Sequence, residues 1–369
     1  MWGRPPIWRG CRTLARAYPR GVSTQSPLIL GIESTCDETG VALVRGTELL
    51  ADVTATSMDE FARYGGIIPE IASRAHLESF LPTMHAALEA AGVELADVDA
   101  IACAAGPGLI GSLTVGTAAA KALATATGKP LYGVNHILGH IAVDELVHGE
   151  LPTPVIGLVV SGGHSSLLLI RDLARDVVEL GGTLDDAAGE AFDKVGRLLS
   201  LPYPGGPHID KLSQKGKPDA IRFPRGLSQP KDRERYPYDF SFSGLKTAVA
   251  RHVESLDGDV EDQKADIAAS FSEAVNESLV DRAIRACLDH DCSVLVIGGG
   301  FSANSRLRAL ANERAAEHGI EVRIPPIRYC TDNGAMIAAL GSVLVRSGVA
   351  PSGIEFSNDS SMPLECASV

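Results

Sequence analysis

Aromatic side chains are scarce in this 369-residue chain, at 5% of positions, and tryptophan occurs only twice. No apolar run reaches the length of about 18 residues needed to cross a bilayer, which excludes an integral helical membrane protein. The seven cysteines (Cys11, Cys36, Cys103, Cys287, Cys292, Cys330 and Cys366) form no C-x-x-C pair, so a zinc ribbon is excluded. An odd number of scattered thiols suits a reducing compartment rather than a disulfide framework. Excess positive charge is also missing, since the net charge is −13. Such a chain does not bind nucleic acid over its whole surface, and any RNA contact needs a local basic patch or a helper protein.

What the chain has is glycine, 38 residues of it, with 45% apolar content. Its length is enough for two domains with buried cores. Strand patterns fall at 28–33, 40–44 and 49–55, followed by a helix at 70–91, a strand at 100–104, a helix at 112–127 and a strand at 131–134. A helix then carries His136 to about 147. The Leu-Pro-Thr-Pro linker at 151–154 interrupts both helix and sheet, and the pattern restarts. Strands fall at 155–160, 166–170 and 177–180, helices at 187–200 and 267–288, and a strand at 293–297. A helix from Asn304, a strand at 321–324 and a helix from about Asp332 to 345 complete the series. This repeated order predicts an α/β protein of two ribonuclease-H-like domains, as in actin, Hsp70 and sugar kinases, with a nucleotide cleft between them. The expected boundaries are 28–150 for the first domain, completed by a C-terminal helix at 332–346, and 155–330 for the second. A basic insert spans 203–251 and a tail 347–369. Residues 1–27 hold five arginines and no acid. They read as a mitochondrial transit peptide or as a start placed upstream of the true one. Pro5, Pro6, Gly10 and Pro19 count against the amphipathic helix that the first reading needs.

Several turns carry the residue types that chemistry needs. The segment Gly31-Ile-Glu-Ser-Thr-Cys-Asp-Glu-Thr39 crowds hydroxyls and three carboxylates between two strands. It is either an acidic hairpin turn or a phosphate- or metal-facing loop in which Asp37 or Glu38 accepts a proton. His136 and His140 lie one helical turn apart on one face, a suitable bite for one transition metal. Two separately packed histidines give the same pattern. A zinc protease of the H-E-x-x-H type needs Glu where Ile137 stands. Asp332 is a candidate third ligand, and its place before a helix also fits an N-cap. The turn Val159-Val160-Ser161-Gly162-Gly163-His164 offers backbone N–H groups to an anion. Gly298-Gly-Gly-Phe-Ser-Ala-Asn304 opens a helix without completing G-x-G-x-x-G, which counts against a Rossmann dehydrogenase. Asp193 is expected on a helix, with Gly206 in a rigid loop before Asp210. Between residues 211 and 251 ten Lys or Arg stand against four acids, interleaved with Tyr236, Tyr238, Phe240 and Phe242. That mixture binds phosphates and stacks bases, or else is a solvated loop.

Taken together, these motifs resemble the TsaD family. The resemblance rests on Glu33–Thr39, Gly106-Pro-Gly-Leu-Ile-Gly-Ser-Leu113, His136-x-x-x-His140, Ser161-Gly-Gly-His164, the run Asp185 to Lys194, Tyr203-Pro-Gly-Gly-Pro207, Phe240-Ser-Phe-Ser-Gly-Leu-Lys246, Gly299-Gly300 with Ala303-Asn304, and Cys330-Thr-Asp-Asn333. It covers about residues 28–345, and the Phe-Ser-Phe-Ser-Gly-Leu-Lys segment fits the bacterial branch. The resemblance implies transfer of a threonylcarbamoyl group from threonylcarbamoyl-AMP to N6 of adenosine 37 in tRNAs reading codons that begin with A. It implies one divalent metal, iron or zinc, on His136, His140 and Asp332. It further implies a donor site lined by Val159, Val160, Ser161, Gly162, Gly163, Asp193, Gly206, Asp210 and Asn304. Implied partners are tRNA and, in bacteria, a dimerising paralogue (TsaB) and an ATPase (TsaE); mitochondrial relatives work as homodimers. The expected location is the bacterial cytoplasm, or the mitochondrion if residues 1–27 are a transit peptide. A metallopeptidase, a kinase and a nucleotide-binding scaffold of the same fold are the competing expectations.

Overall fold

The protein is described by a computed structural model that covers residues 26–57, 61, 66–256 and 260–369. Residues 1–25, on which most of the N-terminal expectation rests, lie outside the described residues.

Two five-stranded sheets are built on one plan. In the first lobe β1 (Leu28–Glu33) is central and buried along its whole length, as its near-continuous apolar run requires. The strands β2 (Glu38–Arg45) and β3 (Glu48–Thr56) add antiparallel on one side, and β4 (Ala100–Gly106) and β5 (Leu131–Asn135) add parallel on the other, giving the order β3-β2-β1-β4-β5. The helices α1 (Pro69–Ala91) and α2 (Ile110–Thr127) pack on this lobe. The second lobe repeats the scheme with β6 (Val155–Val160), β7 (Ser165–Asp172), β8 (Asp176–Gly182), β9 (Val294–Gly298) and β10 (Glu321–Arg323), in the order β8-β7-β6-β9-β10. The same strand directions in the same order make two ribonuclease-H-like units.

Two helices tie the units together. α3 (His136–Ala142) is buried at every position and touches both β6 and β9 of the second lobe. α11 (Gly334–Arg346) comes from the end of the chain but lies on β1, β2 and β4 of the first lobe, and against α3. Its first twelve residues are all buried, as befits a helix apolar on every face. It can lie backbone-to-sheet because the facing residues are glycines: a Cβ on Gly31 would sit 2.4 Å from the Ala338 nitrogen, and one on Gly40 2.5 Å from that of Gly334.

Several expected boundaries move, for local reasons. The helix from His136 stops at Ala142 and a separate turn, α4 (Glu145–His148), follows. Between them Asp144, fully buried, turns its carboxylate to His148 at 2.7 Å and Arg323 at 3.4 Å. The last helix starts at Gly334 because its cap is Asn333, whose side chain accepts from Met336 N at 2.9 Å. Asp332 is therefore no cap. The second lobe also holds α5 (Ala188–Leu198), α9 (Lys264–Asp289) and α10 (Ser305–Ala316). The basic insert is no solvated loop: it contains α6 (Gly205–Ser213), α7 (Pro230–Arg235) and α8 (Ser243–Glu254). Nor do Phe240 and Phe242 stack bases, since both are buried in the second core with their rings stacked 6.2 Å apart. Asp185 fixes this segment. Partial burial opposes its charge, but bonds from Ser241, Ser243 and the Phe242 and Ser243 amides hold its carboxyl below the usual range. Residues after α11 close the β5 edge through bridges Leu131–Ser352 and Val134–Ser368.

Asp52 of β3 reaches the start of α11 and accepts from Ala335 N at 3.2 Å. Burial outweighs this bond and one from Gly334, and pushes the carboxyl up to about 6. A carboxyl raised in the folded state costs nothing below its unfolded value, and the cost grows as pH rises through the folded value. Asp52→Asn removes that cost and keeps an acceptor. Its melting temperature relative to the unsubstituted protein is therefore expected to improve steadily between about pH 4 and pH 7. A difference that does not change with pH would show that Asp52 ionises in the fold as it does in water.

Candidate functional site

The end of β5 passes directly into α3, with the side chain of Asn135 accepting from the amides of Ile137 and Leu138. This cap sets the first turn of the helix and so aims His136. The imidazoles of His136 and His140 stand 5.0 Å apart, nearly perpendicular. The Asp332 Oδ1 lies 3.6 Å from His136 Nε2 and 3.3 Å from His140 Nε2. These three residues offer donor atoms within 4.8 Å of one another, the one such group of three among the described residues. Two features fit them to a cation. Both ring nitrogens of His140 are buried without a hydrogen-bond partner, a cost that coordination removes. His136 Nδ1 meets Glu33 Oε2 at 3.0 Å, which leaves Nε2 directed at Asp332 and is the outer-shell support typical of a metal-ligating histidine. Burial works against a charge on His136, but the Glu33 and Asp332 carboxylates win and push it up to about 9. Burial likewise opposes the Asp332 anion, yet the facing imidazoles hold it well below the usual carboxylate range. Ile137, where a peptidase would carry its glutamate, is fully buried.

Glu33 was legible only as one acid in a motif; its role needs β1 and α3 side by side. The β1–β2 turn beyond it is held from three directions. Thr35 O accepts from Leu109 N at 2.9 Å, and Ser34 Oγ donates to Ser112 O at 3.1 Å. His76 of α1 bonds Cys36 O through Nε2 at 3.1 Å and Thr39 Oγ1 through Nδ1 at 2.8 Å. A carbonyl only accepts, so Nε2 carries the proton and Nδ1 receives the threonine hydroxyl. Burial pushes His76 below its ordinary value, in keeping with that neutral ring. No sequence signal marked His76, which lies inside an ordinary amphipathic helix. Within the clamped turn, Asp37 is 6% exposed and its Oδ2 has no hydrogen-bond partner. Burial, then Asp332 and Asp37, push Glu38 up to about 10.

The wall across from this turn belongs to the second lobe. Ser161 to His164 form the β6–β7 turn, closed by Ser161 N donating to His164 O at 2.8 Å. Burial and the nearby His136 and His140 push His164 down to about 4, which places this turn beside the two histidines. Gly162 and Gly163 are exposed, and a Cβ on either would meet nothing. Val159 and Val160, expected to line the site, are wholly buried in β6 and offer it no surface; they position the turn. Asp193 on α5 accepts from Gly205 N at 2.7 Å and caps α6. Gly206 belongs to the first turn of that helix rather than to a loop, with open space where a Cβ would stand. From α6, Asp210 accepts from Ser305 N at 3.1 Å and Ser305 Oγ at 2.8 Å. Asn304 caps α10 through its oxygen, which takes Leu307 N and Asn276 Nδ2, leaving its own amide hydrogens as its free polar group. Tyr203, next to α6, is pushed up by burial and by Asp193, Asp37, Cys36 and Glu38, so the two walls face each other here. The structure thus brings the His136–His140–Asp332 group, a carboxylate turn and the exposed Gly162–Gly163 turn into one cleft.

Known proteins resemble this chain in sequence and in fold. Residues 48–339 match the family model described as TsaD, tRNA N6-adenosine threonylcarbamoyltransferase. Over 339 residues the chain is 56% identical to a tRNA N6-adenosine threonylcarbamoyltransferase from Bifidobacterium adolescentis, covering 92% of this chain and 98% of that protein. A Bifidobacterium longum protein of the same description is 57% identical over the same coverage. Among solved structures, HypF from T. kodakarensis superposes with a TM-score of 0.59 at 16% identity over 88% of this chain, which spans 48% of that longer protein. Component A of an (R)-2-hydroxyglutaryl-CoA dehydratase from Acidaminococcus fermentans gives 0.51 at 14% identity, covering 87% of this chain and all of that one. These two likenesses speak to the fold.

Proposed function

The chain belongs to the TsaD family and is a tRNA N6-adenosine threonylcarbamoyltransferase, and from that premise we propose how its own residues carry the transfer. The donor is threonylcarbamoyl-AMP, the acceptor is N6 of adenosine 37 in tRNAs reading codons that begin with A, and the products are t6A and AMP. The single observation that carries this reading is the cleft in which His136, His140 and Asp332 stand beside the Ser161–Gly163 turn.

His136, His140 and Asp332 hold one divalent ion. Two imidazoles and a carboxylate are a donor set of both non-haem iron and catalytic zinc sites, and iron is the ion proposed. When bound, that ion supplies Lewis-acid stabilisation of the donor's oxygens. The remaining work falls to the chain. The Gly162 N–H faces the acyl phosphate, where charge grows as the mixed anhydride breaks; the Ser161 N–H is taken by His164 O and the Gly163 N–H is shared with Ser161 Oγ at 3.3 Å. Asp193, Gly206, Asp210 and Asn304 position the AMP half through α6 and the start of α10, with Val159 and Val160 fixing the turn from behind. The adenosine N6 amine is a poor nucleophile because its lone pair is delocalised. It therefore needs orientation and a group to take its proton.

Of the two acids proposed for that task, Asp37 is the better placed: it is buried with an oxygen lacking a partner, whereas Glu38 is held protonated at neutral pH by burial and by its acidic neighbours. Asp37→Asn is expected to lower kcat by roughly 100- to 10,000-fold and Glu38→Gln by far less, both read as the rate of t6A formation at saturating substrates. Equal losses in the two variants would remove the assignment of the base. The direct test of the function is mass spectrometry of tRNA nucleosides after incubation with threonylcarbamoyl-AMP. Failure to form t6A, with AMP still bound, would favour a nucleotide-binding scaffold.

The partner reading has its own support. Leu77 and Leu81 on α1 are 66% and 58% exposed, and Ile110 at the start of α2 is 56% exposed. An apolar face of this kind suits a dimer contact, either with the paralogue TsaB or with a second copy, while TsaE supplies ATPase action in bacteria. Among the described residues no helix is long and apolar enough to cross a membrane. The two Bifidobacterium relatives are bacterial, which supports action in the bacterial cytoplasm.

A further inference from the structure

Away from the metal residues, the second lobe has a cleft of about 480 Å³ where the basic insert crosses α9 and the end of α10. Five arginines line it (Arg225, Arg233, Arg282, Arg285 and Arg314) against three acids, Asp281, Asp289 and Glu317. Most of these charges are spoken for. Arg225 pairs with Glu277 at 2.6 Å, Arg314 with Asp281 and Glu277, and Arg285 with Asp289 at 3.2 Å. Two cations remain. Arg233 is exposed and takes part in no ion pair among the described residues. Arg282 donates to the carbonyls of Gly226 at 2.8 Å and Ser278 at 3.1 Å but meets no carboxylate, and its Nε is buried without any partner. Burial and the neighbouring guanidiniums of Arg233 and Arg285 push Arg282 below its ordinary value, against the opposing pull of the Asp239 carboxylate. Positive charge is therefore concentrated here without full compensation, in a chain whose net charge is −13. An anion seated in the cleft would relieve it.

We propose that this cleft docks the ribose-phosphate backbone of the tRNA substrate, with Arg233 and Arg282 holding phosphodiester oxygens, Arg285 adding the Nη2 that its bonds to Asp289 and the Arg233 carbonyl leave over, and Tyr236 packing beside them. The assignment rests on tRNA being the acceptor and adds where that acceptor is held. Guanidinium forks match phosphate oxygens geometrically, and an adjacent phenol ring suits ribose or base better than it suits an acidic peptide. Position favours the same ligand. The cleft includes His318, just beyond α10, whereas the other end of α10 carries Asn304 and Ser305 of the donor wall. Twelve residues of helix separate the two by roughly 18 Å. One RNA stem can touch both while its target base enters the cleft. The acidic remainder of the surface gives a polyanion few other footholds. Contacts of this kind position the RNA and carry no sequence information.

The test compares the full-length protein with R233Q, R285Q and the double variant, which leave the Arg282 bonds to Gly226 and Ser278 intact. tRNA binding is measured from low to high salt, and turnover is measured with the helper proteins that full activity requires. The double variant is expected to bind tRNA roughly tenfold more weakly, with the slope of log K against log salt reduced by about two. KM for tRNA rises, kcat and KM for threonylcarbamoyl-AMP stay the same, and R233K keeps the slope. If the unsubstituted protein forms t6A and the double variant keeps its tRNA affinity and slope, the docking site is wrong and the enzyme reading stands. The docking site is equally wrong if the variants lose an acidic protein partner but keep tRNA. If the unsubstituted protein neither binds tRNA nor forms t6A, the enzyme reading fails and takes the docking site with it.

Discussion

With alanine at position 140, the protein is expected to fold, to lose its stoichiometric divalent ion and to transfer no threonylcarbamoyl group above background. The folding half of this expectation follows from burial. His140 is 1% exposed and neither ring nitrogen has a hydrogen-bond partner. Truncation leaves a cavity, which costs about 2–5 kcal/mol when a large apolar side chain is cut back. It also removes two buried polar atoms whose desolvation costs about 1–3 kcal/mol each. The second effect offsets part of the first, but the lost imidazole also withdraws support from the buried Asp332 anion, so the metal-free variant melts somewhat lower and still folds. The metal half follows from geometry. Without His140 the remaining donors are His136 and Asp332, 3.6 Å apart, and two ligands do not retain an ion that three would. Metal added to the unsubstituted protein stabilises it by about 2.7 kcal/mol at a hundredfold excess over Kd; in His140→Ala that gain disappears. Loss of the Lewis acid removes several kcal/mol of transition-state stabilisation, a fall of about a thousandfold or more in rate. Metal content by emission spectroscopy, thermal shift with and without metal, and t6A formation check the three parts separately. A variant that keeps its metal-induced shift would show that the ion sits elsewhere.

A single methyl group on Gly298 is expected to do comparable damage from outside the site. A Cβ there would stand 2.5 Å from the His140 carbonyl oxygen and 3.1 Å from the His140 Cβ. Backbone meets backbone, so no flexible side chain can swing aside. The strain must move β9 away from α3, and α3 is the helix that carries both histidines. Overpacking of this kind costs about 1–3 kcal/mol. The larger consequence is for the donor atoms, since displacing α3 takes His136 and His140 away from Asp332, which arrives on the chain before α11. Gly298→Ala is therefore expected to lower both the melting temperature and the affinity for metal, with transfer falling in parallel. Gly162→Ala is the matched control: a Cβ there meets nothing, so stability and metal affinity hold while KM for the acyl donor rises. Intact metal affinity in Gly298→Ala would mean that the lobes yield without disturbing the site.

How far the site was legible before folding depends on what each residue needs. His136 and His140 share one helical turn, so spacing alone puts them on one face, while leaving open whether they act together or pack separately. Asp332 was ambiguous in sequence because an aspartate before a helix reads as a cap; Asn333 takes that role, and only this frees the Asp332 carboxylate for the histidines. Phe240 and Phe242 read as partners for bases because aromatics among lysines and arginines look exposed. Their burial depends on a core built from α5, α8 and α9, which no local pattern reveals. Glu33 and His76 escaped notice as supporting residues for the same reason, since their partners lie 103 and 40 positions away.

Local chemistry in the chain determined the repeated strand order, the apolar strands β1 and β6, the paired histidines and the glycine turns, because hydrophobic period, helical spacing and backbone freedom act between near neighbours. Tertiary structure alone decided which carboxylate meets the two histidines, which turn faces them, and where positive charge gathers away from them. Those outcomes require α11 and α3, nearly two hundred residues apart, to lie against each other, and that contact exists only once both sheets have formed and their glycines have let the helices approach.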